Sequence, residues 1–156
     1  MLEAAGVILD YRVGGLWRNR RTVRVLHGID LTVAEGEVLG LVGESGCGKT
    51  TLARLMLGIL APSAGTVRVD GRAIHGYRRL ERARLIQPVF QDPYSSLNPR
   101  MTVGDTIAAP LEIQAQGTSR ARRERVRELM NAVGLPPHLV SAYPAQMSGG
   151  QRQRVA

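Results

Sequence analysis

The sequence predicts an α/β fold with a β-rich first part and a helical second part, and three observations lead to this prediction. Alternating and apolar stretches at residues 7–13 and 23–33 are typical of antiparallel strands. The apolar run Val38–Val42 has the character of a buried parallel strand, and a glycine-rich loop and a helix-spaced segment follow it. Helical spacing returns at residues 102–114 and 119–133.

The composition indicates a globular chain. Hydrophobic residues make up 44% of the 156 residues and charged residues 22%, a balance that excludes intrinsic disorder as the default. The longest apolar runs are far short of the roughly 18 residues that a membrane-spanning helix needs. The first residues lack the pattern of a secretory signal, and the single cysteine, Cys47, allows no internal disulfide. These features favour the cytoplasm.

The net charge of +8 is spread along the chain. Arginine clusters fall at residues 18–24, 78–84 and 120–127, and the last cluster alternates with glutamates in the manner of a solvated helix face. The pattern therefore indicates a basic soluble surface, and no nucleic-acid partner is expected. Lys49 is the only lysine among the 21 lysine and arginine residues, which points to a site that needs a compact ammonium group.

Lys49 lies in a segment, Gly43 to Thr50, that matches G-x-x-x-x-G-K-[ST] in full. The apolar run before it and the helix predicted over residues 51–60, which Ala61-Pro62 ends, form the strand–loop–helix context of a phosphate-binding loop. Glycines let the backbone approach an anion, and the helix N-terminus adds its dipole. The alternative is a glycine-rich turn without a ligand. The fold class predicted from these features is α/β, with a P-loop NTPase core, an N-terminal antiparallel β-subdomain and a small helical subdomain.

The candidate ligands of this loop are ATP and Mg²⁺. Lys49 is expected to reach the β- and γ-phosphates, and the Thr50 hydroxyl to hold Mg²⁺. Cys47 is either a small filler or a thiol activated by the helix N-terminus. The predicted nucleotide-binding residues of the loop are Gly43, Ser45, Gly46, Cys47, Gly48, Lys49, Thr50 and Thr51.

Five further features complete the prediction of elements. Thr66–Val69 has the pattern of a strand, and residues 70–71 that of a tight turn. Leu85–Phe90 is predicted to be another buried strand. Pro110 should kink or end the first helix of the second part, and Gly134 should stop the next one.

A second glycine motif, Met147 to Gln151, lies near the end of the sequence. From the residues alone it is either a second anion-binding helix start or an ordinary N-cap by Ser148. The motif resembles the signature of ATP-binding cassette proteins, with Met147 in the place of leucine. Tyr11, otherwise a packed strand aromatic, then resembles the residue that stacks on adenine, and Gln91 the glutamine of the Q-loop.

This resemblance implies a head-to-tail dimer of two cassettes, in which Ser148 and Gly150 contact the γ-phosphate of the ATP held by the partner. Lys49 and Gln91 are then the catalytic residues, and Gln91 joins Thr50 at the Mg²⁺ ion. The nucleotide-binding residues added by the resemblance are Tyr11, Ser148, Gly149, Gly150 and Gln151.

Residues 91–100 and 42–49 resemble more narrowly the importers of dipeptides, oligopeptides and nickel. That group implies membrane permease subunits as partners, a substrate-binding protein outside the cell as an indirect one, and a peripheral position at the cytoplasmic face of the inner membrane. It also implies a division into a β-subdomain with the P-loop core over residues 1–91, a helical subdomain over 92–147, and the signature with its helix over 148–156.

The family places a carboxylate after four aliphatic residues, and later a histidine, beyond its signature, and the sequence contains neither. The expectation is a fragment of a longer ATPase, or else a truncated relic, that turns over no ATP by itself. Three other readings stay open: a cassette protein acting on nucleic acids, a relative in phosphonate metabolism, and a nucleotide-binding module without hydrolysis. Trp17 is expected to brace its loop or to contact a partner.

Overall fold

The computed structural model describes residues 1–14, 21–90, 92 and 96–156. They form two compact units, Met1–Pro88 and Val89–Ala156. Two predicted positions, Gln91 and Trp17, lie outside the described residues. The described helices and strands, numbered in chain order, are β1 (Leu2–Val13), β2 (Arg21–Val33), α1 (Lys49–Met56), β3 (Ala64–Val69), β4 (Arg72–Ala73), α2 (Arg79–Leu85), α3 (Val103–Ile113), α4 (Ser119–Ala132) and α5 (Gly149–Val155), with 3₁₀ turns at Ile74–Gly76, Pro137–Ser141 and Pro144–Gln146.

The first unit is built on an antiparallel sheet with the strand order β2-β1-β3-β4. The predicted strands at residues 7–13, 23–33 and 66–69 are confirmed, and each begins earlier than predicted. The predicted turn at residues 70–71 joins β3 to β4, and both of its residues have positive φ, as the favoured two-residue hairpin turn requires.

Helix α1 packs on this sheet. Its apolar side chains Leu52, Leu55 and Met56 recur at helical spacing and are buried with residues of β1, β2 and β3. The helix begins at Lys49 and ends at Met56, four residues before the predicted end, because Gly58 turns into the left-handed region. The N–H groups of Gly58 and Ile59 then bond back to the helix at 2.9 Å each, which completes a glycine C-cap.

Two segments predicted to be buried strands have a different structure. Val38–Val42 belongs to no strand, and its two end residues are 97% and 94% exposed. Leu85 is the last residue of α2, and residues 86–90 after it belong to no strand. Val89 and Phe90 are exposed. A parallel strand is stable only when neighbouring strands pair with its backbone, and the described sheet places none beside these runs.

The second unit is helical. Thr102 caps α3 through a bond from the Asp105 N–H, and Pro110 lies inside this helix without ending it. Gly134 stops α4 as predicted, with a φ of 66°. The core of the unit contains Val103, Val126, Met130, Leu135, Leu139 and Met147.

Candidate functional site

The candidate phosphate loop runs from Gly43 into the start of α1. Gly46 and Gly48 have φ angles of 85° and 102°, in the left-handed region that favours glycine. The Cys47 N–H donates to the Glu44 carbonyl at 3.3 Å and closes a turn between them. The two glycines therefore set the curvature of the loop.

Close contacts explain the first and last glycines of the motif, Gly43 and Gly48. A Cβ added at Gly43 would lie 2.8 Å from the Cys47 Sγ, and one added at Gly48 would lie 3.0 Å from Leu26 Cδ2 on β2. Both distances are below ordinary van der Waals contact. The first and last glycines of the motif thus allow the loop to fold on itself and to lie against the sheet.

Lys49 holds the two sides of this loop together. Its Nζ donates to the carbonyl oxygens of Gly43 at 2.7 Å and Glu44 at 2.6 Å, and lies 3.6 Å from the Cys47 Sγ. An ammonium group has three donors, and its small head reaches both carbonyls, whereas a planar guanidinium would not fit the same geometry. The only lysine of the chain is therefore placed inside the predicted loop.

The first N–H groups of α1 have no hydrogen-bond partner among the described residues. Its N-cap is Gly48, which supplies no side-chain cap, and the first turn carries no acidic residue. The first N–H groups of a helix have no partner within the helix, and they carry partial positive charge. Together with the Lys49 ammonium and the exposed Thr50 hydroxyl, this loop fits a phosphate group and a magnesium ion.

Tyr11 lies on β1 opposite Val23 of β2, and 39% of its surface is exposed. The adjacent pair of the ladder is held by an ion pair that the sequence analysis missed. Arg24 donates to both carboxylate oxygens of Asp10, at 2.8 Å and 3.0 Å. The hydrogen bond from Arg24 lowers the pKa of Asp10, and the pKa of Arg24 is raised by the same bond. Only the cross-strand register shows this pairing.

The signature turn is closed by a reciprocal pair of bonds. The Gln151 N–H donates to the Ser148 Oγ at 3.3 Å, and the Ser148 N–H donates to the Gln151 Oε1 at 2.9 Å. This is a capping box at the start of α5. Ser148 is therefore the N-cap of α5, and anion binding at this motif stays a prediction.

Met147 and Gly150 have different surroundings. Met147 is 4% exposed and belongs to the core of the second unit, which explains why methionine can replace leucine there. Gly150 has no positive φ, and a Cβ added to it would meet nothing within 4 Å. Contacts among the described residues therefore give no reason for glycine at position 150.

Basic residues of α5 fix this helix to its own unit. Arg154 donates to the carbonyls of Gly134 at 2.9 Å and Val133 at 3.3 Å, at the end of α4. Arg152 donates to the Met147 carbonyl at 3.1 Å. Gln153 donates to the Phe90 carbonyl at 3.4 Å, one residue before Gln91. The sequence analysis assigned no role to these three side chains.

The described residues contain neither a cluster of metal-ligating side chains nor a membrane-spanning helix. No group of three or more histidine, cysteine, aspartate or glutamate side chains is arranged to hold a metal ion. Among the helices of the same residues, none is both long and apolar enough to cross a membrane.

Comparison with known proteins agrees with the resemblance of the motifs. The family model described as "ABC transporter" matches residues 26–156. The chain is 42% identical, over 160 residues, to the di/tripeptide transport ATP-binding protein DppF of Pseudomonas aeruginosa. The alignment covers 100% of this chain and 50% of that protein. The chain is also 43% identical, over 159 residues, to the putative oligopeptide transport ATP-binding protein YkfD of Bacillus subtilis, with coverages of 99% and 47%.

Solved structures show the same relationship at the level of the fold. The dimeric ATP-binding cassette MJ0796, in a post-hydrolysis state with ADP and Pi, superimposes with a TM-score of 0.78 at 27% identity, over 99% of this chain and 66% of that one. The α/β cassette fold is thereby confirmed. The chain spans about half the length of the curated relatives it matches. With a family match over most of its residues, the chain belongs to the ABC transporter family.

Proposed function

We propose that this chain is part of an ATP-binding subunit that couples ATP binding and hydrolysis to the import of peptides. The observation that carries the proposal is the loop at Lys49, whose ammonium and left-handed glycines fit a phosphate chain. The names of the relatives support peptides as the cargo in preference to nickel.

In this proposal, both the backbone and the side chains of the loop bind the nucleotide. Lys49 exchanges its two carbonyl partners for the β- and γ-phosphates, and the uncapped N–H groups at the start of α1 donate to the same anion. Thr50 provides the hydroxyl ligand of Mg²⁺, an ion that neutralises charge on the phosphates. The residues that surround the phosphates are Gly43, Ser45, Gly46, Cys47, Gly48, Lys49, Thr50 and Thr51.

Two further residues complete the nucleotide site of one subunit in this proposal. Tyr11 offers an exposed aromatic face to adenine, and the Asp10–Arg24 ion pair fixes the strand that carries it. Gln91 is the second catalytic residue and a ligand of Mg²⁺. Its role is taken from the family resemblance, and the bond of Gln153 to Phe90 fixes the neighbouring backbone.

The signature turn serves the nucleotide of a second ATPase subunit. The open space at Gly150 supports this role, because an approaching phosphate would find backbone there and no side chain. Two solved structures of the neighbour MJ0796 are dimeric. The residues assigned to this contact are Ser148, Gly149, Gly150 and Gln151.

The remaining partners are membrane permease subunits, and through them a substrate-binding protein outside the cell. The subunit then lies at the cytoplasmic face of the inner membrane, as a peripheral protein. We further propose that the 156 residues by themselves bind nucleotide weakly and release no phosphate, since they cover about half of the relatives' length.

A titration with a fluorescent ATP analogue and Mg²⁺ tests the role of the loop. Lys49→Ala should weaken binding by roughly 10- to 100-fold, because hydrogen bonds to charged groups contribute about 1.5–3 kcal/mol. Arg54→Ala is the matched control, since it removes one positive charge from an exposed position of the same helix. Equal binding by wild type and Lys49→Ala would contradict the proposal.

A further inference from the structure

Tyr11 lies on a part of β1 that has a partner strand on one side only. Among the described residues, the ladder between β1 and β3 ends at Ile8, whereas the ladder between β1 and β2 continues to Val13. Residues 9–13 and 21–26 therefore form a two-stranded arm beyond the last pair with β3. A two-stranded ribbon is marginally stable by itself, so the position of this arm depends on contacts that supplement its own ladder.

Three polar contacts fix the arm immediately before Tyr11. Arg24 donates to both carboxylate oxygens of Asp10 and joins the two strands of the arm. The Asp10 N–H donates to the Ser63 Oγ at 2.9 Å, and the Ser63 N–H donates to the Ile8 carbonyl at 2.8 Å. Because Ser63 directly precedes β3, these bonds connect the arm to the rest of the sheet.

The strand that carries Arg24 also lies against the phosphate loop. A Cβ added at Gly48 would lie 3.0 Å from the Leu26 Cδ2 and 3.5 Å from the carbonyl oxygen of Val25. Val25 directly follows Arg24 in the sequence. Strand β2 therefore connects the arm that carries Tyr11 to the loop that is proposed to bind the phosphates.

The exposure of the Asp10–Arg24 pair limits what the pair contributes to the whole fold. The Arg24 side chain is 49% exposed, and the Asp10 side chain is 23% exposed. Ion pairs that solvent reaches add little to global stability, since water screens the attraction. Removal of the pair should therefore change the position of the arm more than it changes the fold of the first unit.

We propose that Arg24 is a positioning residue, which through Asp10 holds the arm so that the Tyr11 ring meets the base of a nucleotide bound at Lys49. The inference rests on the proposed function. If the pair is lost, the arm takes up several positions, and the cost of selecting one of them is added to the binding of the base. The phosphates do not bear this cost, because the loop at Lys49 makes its own contacts.

The test compares the binding of two probes, MgATP and inorganic tripolyphosphate with Mg²⁺, by competition with a fluorescent ATP analogue. Arg24→Gln should raise the Kd of MgATP by about fivefold and that of tripolyphosphate by about twofold or less. Tyr11→Ala is the positive control and should raise the Kd of MgATP alone, by about tenfold. Arg78→Gln removes the arginine of another exposed ion pair in the same unit, and should change either Kd by about twofold or less.

Two further variants separate the pairing from the charge. Asp10→Arg/Arg24→Asp exchanges the partners across the strands, keeps the net charge, and should bind MgATP with a Kd within about twofold of that of the wild type. Arg24→Lys keeps the positive charge but cannot form the two parallel bonds, so it should raise the Kd of MgATP selectively, by about threefold. Arg24→Lys repeats the test if Arg24→Gln lowers the melting temperature.

The outcomes separate the inference from the proposed function. If the wild-type chain binds neither probe, the proposed function fails, and the inference fails with it. If the wild type binds both probes but Tyr11→Ala changes neither Kd, the phosphate loop stands and the inference alone is overturned. The inference is also overturned if Arg24→Gln weakens both probes equally or leaves MgATP unchanged, or if the exchanged pair does not recover binding. Selective loss of MgATP binding, with recovery in the exchanged pair, supports it.

Discussion

The loop before α1 and the turn before α5 both place glycines at the start of a helix, but only the turn before α5 satisfies N–H groups at the helix start with side chains. At α1 no side chain caps the helix, and Lys49 holds the loop through two backbone carbonyls. At α5 the side chains of Ser148 and Gln151 close the helix start. The first site leaves donors and a cation for a ligand, whereas the second is complete without one.

Gly48 and Gly150 also differ in whether the surrounding chain requires glycine. Gly48 is required by its own chain, through a φ of 102° and the contact of an added Cβ with Leu26. Gly150 meets neither condition. A glycine that its own fold does not require is a candidate for contact with another molecule, and the proposed partner nucleotide would be that molecule.

The largest expected effect concerns the cores that support the two helix starts. Leu55→Ala should destabilise the first unit, and Met147→Ala the second, by about 2–5 kcal/mol each, because both side chains are buried in their own core. Amide hydrogen exchange, followed separately for each unit, measures the two effects. Met147→Leu is the control and should cost less than about 1.5 kcal/mol. Loss of protection in both units after either change would show that the cores are not separate.

The sequence predicted each helix start well, since both depend on local residue order. The G-x-x-x-x-G-K-[ST] pattern located the loop, and the serine–glutamine spacing allowed the N-cap. Val38–Val42 was predicted wrongly, because an apolar run becomes a strand only beside partner strands, and such pairing is not local. The early end of α1 at Gly58 was present in the sequence as a glycine signal, but the apolar residues beyond it outweighed that signal.

Side-chain partners were harder to predict than elements. The bond from Arg154 to the end of α4 joins residues about twenty positions apart, and no pattern within a single helix indicates it. The Asp10–Arg24 pair depends on a register that shifts between Leu9 and Asp10.

The next largest expected effect is the difference in stability between Gly48→Ala and Gly150→Ala. Gly48→Ala should cost about 1–3 kcal/mol, because the left-handed backbone and the contact with Leu26 both oppose a Cβ. Gly150→Ala should stabilise the chain by about 0.5 kcal/mol, since alanine favours a helix more than glycine does. Urea unfolding of each variant measures the difference. If Gly150→Ala were as destabilising as Gly48→Ala, position 150 would have a structural role that its surroundings do not show.

A smaller effect is expected at the capping box. Ser148→Ala removes the acceptor of the Gln151 N–H and should cost about 1 kcal/mol. Ser148→Asp keeps a capping oxygen at the N-cap and should recover most of that stability. Urea unfolding of the second unit, read by amide exchange in α5, is the measurement. If Ser148→Ala were as stable as wild type, water would replace the serine hydroxyl with no loss of stability. The bonds between Ser148 and Gln151 would then contribute little to holding the turn.

The smallest effect is the pH dependence of the strand that carries Tyr11. The hydrogen bond from Arg24 lowers the pKa of Asp10 in the folded chain. The pair therefore stabilises the fold above the unfolded pKa of about 3.9, and this stability is lost as the pH falls through the folded pKa. Asp10→Asn should lower the urea midpoint at neutral pH, and the difference from wild type should shrink in acid.

The difference in urea midpoint between wild type and Asp10→Asn isolates the contribution of Asp10 from that of the other acidic residues. The pKa of Glu81 is also lowered, first by its backbone bond to Arg78, but this contribution is present in both chains and cancels in the difference. Urea midpoints recorded by circular dichroism from about pH 7 to about pH 3 give the profile. A difference that stayed constant over this range would show that Asp10 acts through packing, and the end of β1 that carries Tyr11 would then depend on shape more than on charge.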